Sequence, residues 1–313
     1  MNCYLCNIDS LKLIRTKLRH GISRRVLECQ NCGIIYLEPK EIIAKDYYEH
    51  TYRKFYTPVI GKVLSSRETF EIYLPYQQRR IEELKHILNP RMKALDVGCS
   101  AGHFLFALKD YVQECIGIEF NNEDAKFVNK KLGIKTYTTP IQNTDIPFEY
   151  FDLITAFQVL EHIDDPIKVL SILYKYLKPE GYIYIEVPNI QDALISLYHI
   201  KSYADFWFRE PHIFYYSPKT LSMVLERSGF SGNTKTIQNY NFINQINWIL
   251  TGRPQKSADI GMSIPRLINS DSVDKTIKEK FNRWIKRVDE EYKQLLNRYD
   301  LGDSILFIGK KII

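Results

Sequence analysis

The sequence predicts an α/β protein whose strands form a doubly wound, mainly parallel sheet, and three observations lead to this prediction. Between residues 93 and 187, short apolar runs alternate with segments of helical periodicity, as in sheets covered by helices on both faces. These helical segments are long enough for right-handed crossovers between parallel strands. At 313 residues and 45% apolar content, the chain is also long enough to bury a full core.

The individual elements follow from the same patterns. Strands are expected at 94–97, 114–119, 136–137, 151–157, 181–187, 231–240 and 303–310. Helices are expected at 102–110, 122–132, 166–177, 242–250 and 272–298. Ligands of such sheets bind beyond the carboxyl ends of the strands, so the residues that follow each strand form the candidate site.

Four of the six cysteines form two C-x-x-C pairs, Cys3 with Cys6 and Cys29 with Cys32. In a reducing compartment such pairs are more often zinc ligands than disulfides, and four thiolates complete the tetrahedral shell of a structural Zn²⁺. Because few apolar residues lie between the pairs, this N-terminal ribbon is expected to need the metal in order to fold.

The turn after the first predicted strand carries Gly98 and Gly102, which permit positive φ and close approach of a ligand to the backbone. Glu119 follows about 20 residues later, where an acidic side chain can bind both hydroxyls of a ribose. The turn lacks the G-x-G-x-x-G spacing of dinucleotide sites and the Gly-Lys-Ser/Thr ending of a phosphate loop. Since Asp96 stands at the head of the turn, we expect a nucleoside-containing ligand with a cationic or amino-bearing group.

These residues resemble the class I S-adenosylmethionine-dependent methyltransferases. Residues 95–104 (LDVGCSAGHF) match the family's glycine-rich first motif, 117–119 (GIE) its ribose-binding acid, and 151–154 (FDLI) with 160–162 (LEH) its fourth-strand region. Further matches occur at 177–181 (LKPEG), 186–189 (EVPN), 210–221 (EPHIFYYSPKTL) and 228–230 (SGF). The resemblance implies a seven-stranded Rossmann-like sheet whose last two strands pair antiparallel at its edge.

The same resemblance implies S-adenosylmethionine as cofactor. Two positions depart from the family pattern: Ser100 replaces the central glycine of the first motif, and Pro140 stands where many relatives carry an acidic residue near adenine. Adenine contacts are therefore expected from Ile141 and Gln142. The implied cofactor-binding residues are Asp96, Gly98, Ser100, Gly102, Glu119, Ile141, Gln142 and Phe157.

The cysteine pairs and residues 244–254 resemble the zinc-containing methyltransferases that act on sugars and surface-glycan precursors, which are relatives of the sugar C-methyltransferases. The C-methylating relatives carry an additional C-terminal nucleotide-fold domain that these 313 residues do not include. O-methylation is therefore expected over C-methylation. The expected acceptor is a small hydroxyl-bearing molecule: a sugar, a nucleotide sugar or a glycan precursor.

Methyl transfer to a hydroxyl needs a base, and histidine suits this task because its ordinary pKa lies near neutrality. His212 is the preferred catalytic base and His162 is the second candidate, with a structural role open for each. Arg209 is expected either to bind a phosphate of the acceptor or to form a surface ion pair. Glu161 is expected to favour the N-terminus of a helix.

The resulting domain division has five parts. Residues 1–40 are a zinc-binding ribbon, 41–90 a helical lid or linker with a tyrosine-rich stretch, 91–240 the cofactor-binding core, 241–300 a helical insertion, and 301–313 the last strand of the core sheet. The helix at 272–298 is expected to pack on the core or to close the acceptor pocket. A homodimer seam along this helix is the alternative.

Charge and hydropathy limit the partners. The net charge of +6 is small and the basic residues alternate with acids, which argues against nucleic acid as a partner. No apolar run approaches the roughly 20 residues of a membrane span, and the N-terminus lacks the features of a signal peptide, so a cytoplasmic protein is expected. Two alternatives remain open: a zinc-bearing ribosomal RNA base methyltransferase, and a non-catalytic binding protein of the same fold.

Overall fold

The computed structural model describes residues 2–39 and 59–312. Its strands are β1 (Leu11–Lys17), β2 (Ser23–Cys29), β3 (Ile35–Leu37), β4 (Lys93–Val97), β5 (Glu114–Ile118), β6 (Thr136–Tyr137), β7 (Phe151–Phe157), β8 (Leu177–Pro188), β9 (Phe214–Tyr215), β10 (Phe230–Ile237) and β11 (Ser304–Lys311). Its helices are α1 (Ser66–Tyr73), α2 (Gln78–Leu84), α3 (His103–Leu108), α4 (Asn122–Phe127), α5 (Pro166–Tyr176), α6 (Ala193–Ser196), α7 (Lys201–Trp207), α8 (Pro218–Arg227), α9 (Phe242–Thr251), α10 (Ala258–Met262) and α11 (Lys275–Arg298).

Seven strands form the main sheet, in the order β10-β11-β8-β7-β4-β5-β6. The pairs from β8 to β6 are parallel, and β11 runs antiparallel between β8 and β10. This arrangement confirms the predicted doubly wound sheet and its antiparallel edge. The central strands are buried on both faces, as their continuous apolar runs predict, with Ile154, Ile183 and Ile185 fully covered.

Local signals fix where the helices begin. The Asp165 carboxylate accepts a hydrogen bond from the Lys168 backbone N–H, and Pro166 occupies the first position of α5, where a backbone donor is not needed. Ser217 and Thr220 form a reciprocal capping box at the start of α8. These caps fix where α5 and α8 begin, and thereby where the loops that precede the two helices end.

A second sheet joins the ribbon to the core, in the order β1-β2-β3-β9. Its fourth strand comes from far along the chain: Ile35 pairs with Tyr215 and Tyr36 with Phe214. The ribbon sheet thus extends beyond the predicted boundary of 1–40. The reason is that its apolar residues are buried against the loop before α8, where Tyr4 packs on Phe214 with ring centroids 4.9 Å apart.

The predicted lid or linker at 41–90 is described only from residue 59, so the tyrosine-rich stretch lies outside the described residues. From there, Pro75 interrupts the helical path, and a 3₁₀ turn at Leu74–Tyr76 separates α1 from α2. Both short helices lie ahead of β4.

Of the C-terminal helices, α11 packs against β10 at the edge of the sheet, and α9 packs against α11. The long helix α11 buries Ile285 and Leu296, while Phe281 and Trp284, in its N-terminal half, remain about half exposed. Packing of α11 on the core agrees with the expectation from its periodicity, and a homodimer through its exposed side stays a prediction. Within 2–39 and 59–312, no helix has both the length and the apolar character needed to cross a bilayer.

Candidate functional site

The turn between β4 and α3, residues 98–102, is hereafter the glycine turn. Gly98 and Gly102 have φ of 71° and 76°, in the left-handed region that favours glycine. A Cβ atom on Gly98 would lie 2.5 Å from Cγ2 of Val159, and one on Gly102 would lie 2.7 Å from Cγ2 of Val128. Both glycines are therefore required by backbone conformation and by close packing.

Glu119 holds the glycine turn in place. Its Oε2 accepts a hydrogen bond of 2.8 Å from the backbone N–H of Ser100, and its Oε1 accepts one of 2.7 Å from that of Asn121. Ser100 itself has φ of 49°, an uncommon conformation for a residue with a Cβ. The carboxylate that we expect to bind ribose thus also fixes the turn that we expect to bind the rest of the ligand.

Asp96 is buried beneath the glycine turn, 2% exposed. Its Oδ1 accepts a hydrogen bond of 2.7 Å from the hydroxyl of Thr155 on β7. Burial raises the pKa of Asp96 to about 7, although the Thr155 hydrogen bond and the charge of Arg80 lower it. Its predicted role at the methionine end of the cofactor stays a prediction.

Phe157, at the end of β7, lies in a cluster of aromatic and charged groups that sequence reasoning missed. The Arg80 guanidinium lies 3.9 Å from the Phe157 ring centroid. Arg80 and Arg79 both pair with the buried Glu186 at the end of β8, the shortest contact being 2.6 Å from Arg79 Nη2. Burial raises the pKa of Glu186, but the two arginines outweigh it and hold the pKa at about 2.

The residues of this cluster can be seen in the sequence, but no motif links the two arginines to Glu186. Two adjacent arginines, Arg79 and Arg80, precede the first core strand, and Glu186 belongs to the matched EVPN stretch. Nothing in their spacing indicates that they meet, since more than 100 positions separate them along the chain. Their contact depends on α2 packing across the end of β8.

The expected adenine-binding residues form a 3₁₀ turn, Ile141–Asn143, after β6. Ile141 is buried and its carbonyl accepts a hydrogen bond from the Tyr176 hydroxyl. Gln142 is exposed. The predicted adenine contacts of these two residues stay predictions.

The predicted catalytic histidines meet in one place, together with Glu161, and we call these three side chains the Glu–His cluster. Glu161 Oε1 lies 3.8 Å from His162 Nε2 and 3.9 Å from His212 Nε2. The two imidazole rings pack edge to face with centroids 4.8 Å apart. Glu161 is 1% exposed and His212 2% exposed, so the cluster is almost closed to solvent.

That Glu161 favours the N-terminus of a helix stays a prediction, and the structure shows further contacts of its side chain. The residue lies in a 3₁₀ turn, Leu160–His162, and its carboxylate points to the two histidines. Across the described part of the chain, neither of its side-chain oxygens finds a hydrogen-bond partner. Burial raises the pKa of Glu161 to about 8, against the lowering effect of the Arg209 charge.

Arg209 is part of this arrangement, and its expected phosphate contact or ion pair stays a prediction. Its Nε–H donates a hydrogen bond of 2.8 Å to His212 Nε2, and His162 Nδ1 lies 2.9 Å from the carbonyl oxygen of Pro211. Burial and the Arg209 charge lower the pKa of His162 to about 3 and that of His212 well below its usual value. Both imidazoles are therefore neutral at physiological pH, and His212 accepts a new proton at Nε2 only if Arg209 moves.

Backbone contacts connect the Glu–His cluster to the ribbon and to the glycine turn. The Leu37 N–H of β3 donates to the Ile213 carbonyl at 2.8 Å, and the Ile213 N–H donates to the Glu161 carbonyl at 2.7 Å. On the other side, Val159 lies directly against Gly98. The cluster thus occupies the space between the ribbon and the expected cofactor site.

The four ribbon cysteines also meet. The sulfur atoms of Cys3 and Cys32 are 3.6 Å apart, those of Cys6 and Cys29 are 3.5 Å apart, and all four lie within 4.8 Å of one another. These distances are far longer than a disulfide bond and close to the roughly 3.8 Å between sulfurs that Zn–S bonds of about 2.3 Å produce in a tetrahedron. The donor set and its spacing fit Zn²⁺.

Comparison with known proteins agrees with this geometry. A sequence family described as "Methyltransferase domain" matches residues 71–234, slightly more than half of the chain. A ubiquinone biosynthesis O-methyltransferase of Aliivibrio fischeri is 28% identical over 103 residues, which cover 31% of this chain and 44% of that protein. An uncharacterized methyltransferase, YcgJ, of Bacillus subtilis is 30% identical over 95 residues, which cover 28% of this chain and 38% of that protein.

The chain therefore spans less than half the length of these curated relatives. Among solved structures, an S-adenosylmethionine-dependent methyltransferase from Archaeoglobus fulgidus superposes with a TM-score of 0.50 at 22% identity, covering 78% of this chain and 97% of that one. At this identity the superposition supports the fold alone.

Proposed function

Because the chain belongs to the methyltransferase-domain family, we propose that it binds S-adenosylmethionine at the glycine turn and transfers the methyl group to a small hydroxyl-bearing acceptor. One observation carries the proposal: both Glu119 oxygens accept backbone N–H groups at this turn. Glu119 stands where an acidic side chain can bind the hydroxyls of a ribose, and a carboxylate can accept several hydrogen bonds at once. The same side chain can then order the turn and bind the nucleoside.

The cofactor supplies a methyl group already activated by its positively charged sulfur. The protein's task is to hold the acceptor in line with that methyl group, to exclude water, and to manage the hydroxyl proton. The Glu–His cluster suits the last task, since it lies beside Val159, which itself touches Gly98. His212 and His162 are the proposed proton acceptors, and Arg209 is the proposed contact for an acidic group of the acceptor.

O-methylation is supported by the printed name of the Aliivibrio fischeri relative. A sugar, nucleotide-sugar or glycan-precursor acceptor is supported by the cysteine ribbon, which places its third strand against the loop that carries His212. We propose a structural Zn²⁺ at Cys3, Cys6, Cys29 and Cys32, because four thiolates at these distances form a closed tetrahedral site.

Cofactor binding is tested by titrating the protein with S-adenosylmethionine and with S-adenosylhomocysteine. We expect both to raise the melting temperature, and Glu119→Gln to weaken binding by tenfold or more, since a hydrogen bond to a charged group contributes about 1.5 to 3 kcal/mol. The matched control is Glu226→Gln, an exposed carboxylate on α8. Absence of binding by the folded wild-type protein would overturn the proposal.

The acceptor is tested separately with labelled cofactor and panels of nucleotide sugars, glycan precursors, phenols and ribosomal RNA. Mass spectrometry of the products then identifies the methylated atom. Labelling of a sugar hydroxyl supports the proposed acceptor class, and labelling of an RNA base or a phenol alone contradicts it.

A further inference from the structure

The Glu–His cluster has the composition of a metal site, although the zinc proposed above belongs to the cysteine ribbon. Its three ligand atoms, one carboxylate oxygen and two imidazole nitrogens, lie within 4.8 Å of one another. We propose that Glu161, His162 and His212 bind a divalent first-row transition-metal ion, through one oxygen and two nitrogen ligands.

The state of Glu161 is the first observation that carries this proposal. Its side chain is 1% exposed, and within the described ranges both carboxylate oxygens lack a hydrogen-bond donor. Burying a carboxylate without a partner costs several kcal/mol, so an unsatisfied one points to a cation that belongs there. The Nε2 atoms of His162 and His212 lie 3.8 and 3.9 Å from Glu161 Oε1. These distances are too long for hydrogen bonds to the carboxylate, but short enough for all three atoms to bind one ion.

The orientation of His162 is the second observation. A carbonyl oxygen only accepts hydrogen bonds, so the 2.9 Å contact with Pro211 means that His162 Nδ1 carries the proton. The lone pair of Nε2 then lies on the side of Glu161. Metal-binding histidines are oriented in this way, with the remote N–H donated to a backbone carbonyl or a carboxylate.

His212 is held differently, and this defines what binding would change. Its Nε2 accepts a hydrogen bond from Arg209 Nε at 2.8 Å. A metal ion bound at Nε2 replaces this hydrogen bond and turns the Arg209 side chain aside. Without the ion, the Arg209 guanidinium is the positive charge next to His212 Nε2. It lies where we propose that the ion binds.

Ligand chemistry selects the class of ion. Imidazole nitrogen favours zinc, iron, nickel and copper, while a carboxylate also suits manganese, and all-oxygen ligation is the preference of magnesium and calcium. Three protein ligands leave coordination positions open, as in catalytic metal sites. The site is therefore distinct in chemistry from the closed, all-sulfur ribbon site.

Charge indicates what would occupy the open positions. A divalent ion, the Glu161 carboxylate and the Arg209 guanidinium together carry a formal charge of +2, which attracts an anionic oxygen. Resting on the proposed methyl transfer, we assign these positions to the acceptor hydroxyl. With an ion bound, the lone pairs of the two imidazoles are ligands, so the proton-accepting role proposed above for His212 and His162 applies only to the ion-free cluster. In the metal-bound form the O–H proton leaves to a water molecule, the oxygen forms a bond with the methyl carbon, and the carbon–sulfur bond breaks with its electron pair remaining on sulfur.

The test uses Mn²⁺ alone, because manganese prefers oxygen and nitrogen ligands over the ribbon thiolates. The full chain, isolated with its ribbon zinc, is titrated with Mn²⁺ without cofactor, and free Mn²⁺ is measured by electron paramagnetic resonance. We expect saturation at one ion per chain and at least tenfold weaker binding in Glu161→Gln. His162→Gln is a second variant, since its side chain is 13% exposed and tolerates change more readily.

The matched control is His199→Gln, an exposed histidine outside the cluster, which is expected to bind Mn²⁺ like the wild type. Circular dichroism shows whether each variant is folded. The proposal is overturned if the folded wild-type chain takes up no Mn²⁺, or if both cluster variants bind it as tightly as the wild type. Because cofactor is absent throughout, failure here is separable from failure of S-adenosylmethionine to bind.

Discussion

The glycine turn and the Glu–His cluster lie side by side at the carboxyl ends of β4 and β7, yet their polar groups are satisfied in different ways. At the turn, each oxygen of Glu119 accepts a backbone N–H from a neighbouring loop. In the cluster, among the residues described, neither oxygen of Glu161 has a hydrogen-bond partner. The protein's own backbone donors satisfy Glu119, whereas Glu161 lacks such a donor among these residues, and this difference is the basis of the proposed ion at the cluster.

The two regions also differ in what supports them. The turn depends on residues 98–102 and 119–121, which are close in sequence and directly follow two adjacent parallel strands. The cluster combines a turn at 160–162 with a loop around residue 212, and β3 of the ribbon holds that loop through Leu37 and Ile213. A buried carboxylate without a partner keeps its position only where the surrounding structure holds it. We therefore expect the geometry of the cluster to depend on a folded ribbon, and the geometry of the turn to be independent of it.

The largest expected effect comes from removing one zinc ligand. Cys29→Ser leaves three thiolates, and since structural zinc contributes on the order of 10 kcal/mol to folding of such ribbons, we expect loss of the ion and local unfolding of β2 and β3. Hydrogen exchange at the Ile213 N–H should accelerate at least tenfold, because the loop that carries it loses the hydrogen bond from Leu37, and the hydrogen bond from the Ile213 N–H to the Glu161 carbonyl then opens more often. Exchange at Ser100 and Asn121 should stay slow. Hydrogen-exchange mass spectrometry and a zinc assay measure both results.

Cys115→Ser is the control for this prediction, since Cys115 lies outside the four-cysteine group. It should keep one zinc per chain and normal exchange at Ile213. If exchange at Ile213 is as slow in Cys29→Ser as in the wild type, the cluster does not depend on the ribbon.

The same contrast explains how much the sequence could predict. The sequence predicts Gly98 and Gly102 in the turn because positive φ restricts residue type at fixed local spacing, and ribose binding by Glu119 stays a prediction. The doubly wound sheet and its parallel core also followed from the alternation of strands and helices. By contrast, the contact of Glu161 with His212 could not be predicted, because it depends on a loop about 50 positions away in sequence.

Two further features could not be predicted from the sequence, for a related reason. The pairing of β3 with β9 joins segments about 180 positions apart, and no pattern in either short strand specifies its partner. The contact of Arg79 and Arg80 with Glu186 depends on where α2 packs. Residue type predicts conformation locally, but long-range contacts of charged groups need the fold.

An intermediate effect is expected from Gly98→Ala. Left-handed backbone costs a residue with a Cβ about 1 to 2 kcal/mol, and the new methyl group would lie 2.5 Å from Val159 Cγ2. We expect a total loss of about 3 kcal/mol in the free energy of unfolding, measured by urea denaturation. Displacement of Val159 should also disturb the neighbouring Glu161 and weaken Mn²⁺ binding.

Gly133→Ala separates the two contributions. Gly133 has φ of 69°, but no atom lies within 4 Å of an added Cβ. Its substitution should therefore cost only about 1 kcal/mol, the conformational part. Equal losses at both positions would mean that Val159 moves freely and that the turn is not packed against the cluster.

The smallest effect is expected from Ser100→Gly, which restores the residue type that relatives have at the centre of the turn. Ser100 has φ of 49°, so glycine removes about 1 kcal/mol of backbone strain, partly offset by the greater entropy of glycine in the unfolded chain. We expect a gain of up to about 1 kcal/mol in the free energy of unfolding and no change in Mn²⁺ binding, because Ser100 contacts Glu119 and not the Glu–His cluster. Ser222→Gly, within α8, should lose about 1 kcal/mol, since glycine disfavours helices. Loss of stability in Ser100→Gly would show that the serine side chain, rather than backbone strain alone, determines the energetics of the glycine turn.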